Sequence, residues 1–356
     1  MKIKDITVRR VELDLTRPYT IAYKTVTDVE ICFVEVKTES GLIGMGASNP
    51  SKQVVGETMD DCMAALSGNN LDRFIGRDIR ELASLCEELH TIFPKNPGAK
   101  AALDIAFHDV FSQYLGVPLV KYLGQQLHSL ATSITIGIKG VDETAEEAQE
   151  YLERGFKIIK VKLGHSLDED LERLKKLRQD FGKRLGIRVD ANQGYSMEEL
   201  TRFYHETRSF DLELVEQPLP ASQVDEMKSL PWEIRQIIAA DEALVRAEDG
   251  WLLANHPKAC GIFNIKLMKC GGIFQARRIA NTARLAGIDL MWGCNDESII
   301  SIAAGLHIAF ACPHTRFIDL DGSLDLAEDL VSGGFTIRDG RMYLTDQPGL
   351  GVKRRD

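Results

Sequence analysis

The stretch Phe156–Gly164, FKIIKVKLG, restricts the fold more than any other. With the side-chain period of a strand, Ile159, Val161 and Leu163 fall on one face and Lys160 and Lys162 on the other. Burying two ammonium groups is costly unless something nearby takes up their charge. Four later apolar runs each end in a charged residue that could do so or join them: RVDANQ in Asp190, LVEQP in Glu216, AADEA in Asp241 and FNIKLM in Lys266. The steps are roughly 25–30 residues, about one strand, one helix and two loops. One functional side chain per βα unit, at the carboxyl ends of consecutive parallel strands, is how a (β/α)8 barrel arranges its chemistry.

With 356 residues, the chain exceeds a single barrel of about 250 residues by one small domain. Residues 1–125 supply it: strand-like text ending in ICFVEVKTESGLIGMG, with a hairpin at Glu39-Ser40-Gly41, then helical text in KAALDIAFHDVFSQYLG that stops at Gly116 and Pro118. The polar and aromatic stretch Thr16–Thr27 is expected to be a loop. From 126 to 322 the text alternates, with eight strand candidates: SITIGI, FKIIKVKLG, GIRVDANQ, LELVEQP, IIAADE, GIFNIKLM, IDLMWGC and TRFIDLD. The tail, 323–356, carries a hairpin signal at Asp339-Gly340 and is expected to return to the first domain. The fold class is therefore α/β: a modified TIM barrel with an α+β capping domain built from the N-terminal segment and the tail.

The net charge of −10 argues against a nucleic-acid or acidic-membrane partner, and no apolar run is long enough to span a bilayer. Seven cysteines without a C-x-x-C, and no signal-peptide pattern at the start, point to reduced thiols and the cytoplasm. Nothing in the sequence excludes a homo-oligomer.

If strands three to five are neighbours, Asp190, Glu216 and Asp241 converge. Three carboxylates together need a cation to stay ionised, and all-oxygen ligation suits Mg²⁺, with Mn²⁺ as the substitute. Asn192, sharing parity with Asp190, is expected to orient it. On strand six Asn264 and Lys266 face inward, so Lys162 and Lys266 stand on opposite sides of a closed barrel. One amine can remove a proton from a carbon beside a bound carboxylate while the other returns one to the opposite face, inverting the centre. Lys160 beside Lys162 would favour a neutral base by like-charge repulsion.

K-x-K, D-x-N, E-Q-P, A-D-E and N-x-K on strands two to six resemble the muconate-lactonizing subgroup of the enolase superfamily. The resemblance implies Asp190, Glu216 and Asp241 as ligands of Mg²⁺, Lys162 and Lys266 as the acid/base pair, and Lys160 as their support. Strand eight narrows the reaction. Asp319 and Asp321, two apart and so on one face, suit a substrate ammonium, and this D-x-D resembles the signature of dipeptide epimerases such as those acting on L-Ala-D/L-Glu. The expected partner is a small dipeptide whose second α-carbon is inverted. Tyr19, Lys24, Asp296 and Glu297 are candidates for contacting it: Lys24 fits an acidic side chain, Asp296 a cationic one, and Glu297 fits a partner of Lys266. Acidic, cationic and apolar second residues all remain open. N-acylamino acid racemase, o-succinylbenzoate synthase and muconate cycloisomerase share the scaffold but need no paired acids on strand eight. A Schiff-base aldolase using Lys266 would need no three-acid cluster.

Overall fold

The computed structural model describes residues 1–21 and 24–355, and within these the side chains of 18–21 and 24–26 lie outside the description. Its N-terminal part is an antiparallel sheet of Ile3–Ile21, Lys24–Thr38 and Ile43–Ser48, covered by the helices Leu82–Ile92 and Pro97–Leu115. Gly44 and Gly46 let the third strand touch the longer helix: a Cβ would stand 2.2 Å from the Ala106 carbonyl oxygen and 1.9 Å from that of Ala102. That helix starts with Pro97 in its first turn and ends at Gly116 with φ 70°, as the sequence signals require.

The expected loop at Thr16–Thr27 is a correction. Its flanks continue as a two-stranded ribbon, with Tyr19 opposite Val26 and Ile21 opposite Lys24. Thr, Tyr, Ile and Val suit extended backbone, so these flanks pair with each other rather than forming a loop.

The barrel strands run Ile134–Ile136, Ile158–Lys162, Gly186–Asp190, Leu212–Glu216, Ile238–Ala240, Ile262–Ile265, Asp289–Gly293 and Thr315–Asp319, all parallel and hydrogen-bonded in that order. A bridge between Thr132 and Ile318 joins the last strand to the first and closes the ring. Helices follow the first seven strands. After Asp319 the chain instead passes without a helix into the tail.

Ile159, Val161, Ile187, Val189, Phe263 and Ile265 belong to the large apolar core. Inside the barrel Leu214, Ala239, Ile262, Met291 and Phe317 form a separate buried cluster. Above this apolar floor the inward positions are charged. The parallel register sets Lys160 beside Arg188, Lys162 beside Asp190, and Asp190 beside Glu216. The tail turns at Asp339 and Gly340, both with positive φ, in the expected hairpin. It meets the N-terminal part where Leu350 N–H donates to Asp109 (2.8 Å) and Arg354 to Glu35 (3.1 Å).

Candidate active site

Lys160, Lys162, Asp241, Lys266, Asp319 and Asp321 all line one cavity of about 580 Å³ at the carboxyl ends of the barrel strands. Asp190 and Glu216 lie fully buried against its floor. The Lys162 ammonium donates to Asp190 Oδ2 at 2.6 Å, and that of Lys266 donates to Asp241 Oδ2 at 2.9 Å and lies 4.0 Å from Glu216 Oε1. Two amines thus face the same space from strands two and six, with the strand-end acids between them.

The acids and amines act on one another's charge. Burial pushes the Glu216 carboxyl up to about 8, with the charge of Asp190 adding to it. Burial would also raise Asp241, but the ammonium groups of Lys266 and Lys269 outweigh it and hold that carboxyl far below its ordinary value. Burial would depress the Lys266 ammonium, yet the charges of Asp241 and Glu216 keep it above its ordinary value.

The donor set fits a hard divalent cation. Glu216 Oε2 is buried, stands 3.5 Å from Lys160 Nζ and accepts no hydrogen bond among the described residues. An acceptor left so is costly unless a cation takes it up. Among the described residues, though, the three potential ligands that cluster within 4.8 Å are Cys86, Asp104 and His108 in the cap, not the strand-end acids. Lysines engage those acids instead. The cap cluster has a structural role, since Asp104 accepts from the backbone of Ile273 and Phe274 at a helix start.

Three expectations change. Lys160 is buried, hydrogen-bonded to Asp319 and near Glu216 and Asp190. Burial opposes its charge, but those acids hold it well above its ordinary value. Its main neighbour is thus an acid rather than the like charge of Lys162. The strand-eight acids are not an equal pair. Asp319 spends both oxygens inside the barrel, on Lys160 and on Ser133 Oγ (2.6 Å). Asp321 accepts from Thr135 N–H (2.7 Å) and makes no ion pair among the described residues, and burial with the charge of Asp319 pushes it up to about 7. Asn192 reaches Asp190 through its backbone N–H (2.9 Å), not its side chain, because the strand has ended and Asn192 has φ 42°.

Asn264 Nδ2 donates to Glu216 Oε1 at 2.7 Å, the contact its parity with Lys266 suggests. Glu297 is buried, accepts from Asn295 N–H (2.9 Å), and burial pushes it up to about 7. It makes no direct bond to Lys266, and only its charge acts there. Asp296 lines the cavity, while Tyr19 and Lys24 lie outside the described side chains.

The sequence reading missed three groups. Arg188, on the same face of its strand as Asp190, donates to Glu213, Ser133 Oγ and the Ile318 carbonyl and stacks on Phe317. Glu242, next to Asp241, lines the cavity, and burial pushes it up to about 7. Lys269, one helical turn after Lys266, is enclosed beneath Asp241.

Among the described residues, twelve acidic and six basic side chains line the cavity. The acids include Glu143, Glu146, Glu147 and Glu150 on the helix Val141–Glu153, Asp28 and Glu30 of the cap, and Asp325. Burial and the charge of Asp296 push Asp325 up to about 6.

Facing amines over a carboxylate floor, roofed by a cap, define an acid–base enzyme of the capped-barrel kind. Residues 3–124 match the family described as "Mandelate racemase / muconate lactonizing enzyme, N-terminal domain", and residues 143–356 match "Enolase C-terminal domain-like". The chain belongs to the enolase superfamily, in its mandelate racemase and muconate-lactonizing branch. It is 52% identical to the L-Lys-D/L-Arg epimerase of Methylococcus capsulatus, covering 99% of both chains. Identity to the L-Ala-D/L-Glu epimerase of Clostridium acetobutylicum is 32%, again covering 99% of both. A crystal structure of the Methylococcus capsulatus dipeptide epimerase, complexed with Mg and the dipeptide L-Arg-D-Lys, superposes with a TM-score of 0.98 at 52% identity, covering 99% of each chain.

Proposed function

We propose that this chain is a Mg²⁺-dependent epimerase of dipeptides with cationic side chains, inverting the α-carbon of the second residue. The observation that carries the reaction is the pair of amines, Lys162 and Lys266, facing one cavity from opposite barrel strands with strand-end acids between them. In this reading residues 126–322 form the barrel, and 1–125 and 323–356 its cap.

Asp190, Glu216 and Asp241 would hold the ion, which would supply positive charge to offset the negative charge that builds as the α-proton leaves. The unprotonated amine of one lysine takes that proton, and the ammonium of the other delivers one to the opposite face. Either lysine starts the reaction, depending on the epimer bound. Asn264 keeps Glu216 in place through its 2.7 Å bond, and Lys160 balances the buried charge of Asp319. Asp321, whose carboxylate faces the cavity, receives the substrate's terminal ammonium.

The excess of acids around the cavity favours cationic side chains over acidic ones, since like charges in a partly desolvated mouth repel. Identity to a relative named for L-Lys-D/L-Arg supports the same choice. Seven unpaired cysteines, six of them buried, suit a reducing compartment, and we place the protein in the cytoplasm. No helix among the described residues is long and apolar enough to cross a membrane.

The test is a panel of L,L-dipeptides incubated with the enzyme and Mg²⁺ in D₂O. Dipeptides with Lys or Arg should gain one deuterium at the α-carbon of the second residue, well ahead of L-Ala-L-Glu. Preferential labelling of L-Ala-L-Glu would overturn the side-chain assignment, and no labelling of any dipeptide would overturn the reaction.

A further inference from the structure

Lys269 is one of the most deeply enclosed charged groups in the protein, with no side-chain exposure, and it does not reach the cavity. Its Nζ donates to Asp241 Oδ1, to the Asp241 backbone carbonyl (2.6 Å) and to the Asn264 backbone carbonyl (3.2 Å). An ammonium has three donors and no acceptor, so contact with three oxygens leaves it nothing for a substrate. Its backbone is equally constrained. Lys266 caps the short helix Leu267–Cys270, and the Lys269 N–H donates to the Lys266 carbonyl at 3.0 Å.

Asp241 therefore has an ammonium on each oxygen, and the two differ in kind. Lys269 holds Oδ1 from behind, through a network closed by backbone carbonyls of strands five and six. Lys266 holds Oδ2 from the cavity side at 2.9 Å, and its ammonium makes no other hydrogen bond among the described residues. The first cannot leave without exposing three acceptors in a dry interior; the second can move into the cavity.

Resting on the reaction proposed above, we infer that Lys269 is a positioning residue, which holds Asp241 Oδ1 from behind and ties it to the end of strand six, so that Lys266 stands where it serves the substrate carbon. The same side chain ties Asp241 and Asn264 together, fixing the end of strand six that carries Lys266. Lys162 has no comparable arrangement, as its partner Asp190 accepts from Lys162 and from the Asn192 N–H. The effect should thus fall on one face of the substrate.

The experiment follows solvent-deuterium exchange at the α-carbon of the two epimers of L-Lys-Arg, with Mg²⁺ present. The epimer read by Lys266 is identified as the one whose exchange disappears in Lys266→Ala. Lys269→Met should slow that exchange at least about tenfold more than exchange of the other epimer. Loss of packing alone would slow both equally, and an equal loss, or none, overturns the inference. Lys269→Gln retains part of the hydrogen bonding without the charge and covers the case in which the methionine variant does not fold. The same asymmetry is expected of it, and an unchanged ratio overturns the inference.

A second measurement needs no turnover. In EDTA, the loss in melting temperature of Lys266→Met with Lys269→Gln should exceed the sum of the two single losses, because only the double variant strips Asp241 of both charges. Additive losses count against a shared carboxylate. Wild-type enzyme that exchanges neither epimer refutes the reaction itself, a result distinct from symmetric loss in the variants.

Discussion

Replacing Lys160 by methionine isolates the electrostatics of the barrel interior. Lys160 is 3% exposed, bonds to Asp319, and stands 3.5 Å from Glu216 Oε2 and 3.9 Å from Asp190 Oδ2. Methionine fills nearly the same volume, so the cavity cost is small. What remains is a buried carboxylate without its cation, and breaking such a pair from one side costs about 3–5 kcal/mol. At about 2.1 cal/mol/K per residue, a chain of 356 residues has an unfolding entropy of about 0.7 kcal/mol/K, so the melting temperature should fall by about 4–7 °C.

The sign with pH follows from Asp319. Burial would raise that carboxyl, but Lys160 lowers it below its ordinary value. The stability it contributes is therefore fully present above the unfolded pKa, about 3.9, and is lost as pH falls through the folded value. In the variant only burial and the Ser133 and Arg188 contacts remain, so the carboxyl can take up a proton as the medium is acidified and escape its unpaired charge. Melts in EDTA should show the full deficit at about pH 8 and less than half of it at about pH 5. Adding Asp319→Asn should recover most of the loss. A deficit that does not change with pH, or one under about 2 °C at the alkaline end, would refute the assignment of Lys160 as the charge balance of the interior.

Lys162→Ala and Lys266→Ala should each lower turnover by about 10²-fold or more, while each keeps exchange of one epimer, read by NMR in D₂O. Chelation should abolish turnover, and Mg²⁺ at about 100 times its dissociation constant should add about 2.7 kcal/mol of stability, read as a rise in melting temperature. Asp321, pushed up to about 7, should lose its grip on a substrate ammonium as pH falls below that value. KM should then rise on the acid side with kcat less affected, and Asp321→Asn should raise KM throughout and flatten the profile. A profile unchanged in that variant would remove Asp321 from ammonium binding.

The residues legible in the sequence are those whose position a strand dictates. Alternation alone sets Lys160 with Lys162 and Asn264 with Lys266, and the parallel register then places Asp190 beside Lys162 and Glu216 beside Asp190. Arg188 obeyed the same rule and was still missed, because two of its three partners, Ser133 and the Ile318 carbonyl, come from parts of the chain distant in sequence. Lys269 was hidden by a change of period. Strand six ends at Ile265 and a helical turn begins at Leu267, so a lysine three residues beyond Lys266 returns beneath the same carboxylate. Asn192 failed for the related reason that its backbone leaves the extended region, after which parity predicts nothing.

Substrate charge is a property of the assembled mouth, which is why Lys24 and Asp296 alone could not decide it. The helix Val141–Glu153 reads as an ordinary amphipathic helix with an acidic solvent face. In the fold that face meets the cap ribbon: Arg17 reaches Glu150 through two 3.0 Å bonds, and Thr16 N–H reaches the Asp325 carbonyl at 2.7 Å. These contacts hold the ribbon beside the glutamates at the rim of the cavity. Arg17 and Lys139 pair with Glu150 and Glu147, while Glu143 and Glu146 beside them add charge of the same sign to the lining. At the mouth of a cavity walled by the barrel, that excess acts on whatever enters more strongly than the same charges on an open helix could.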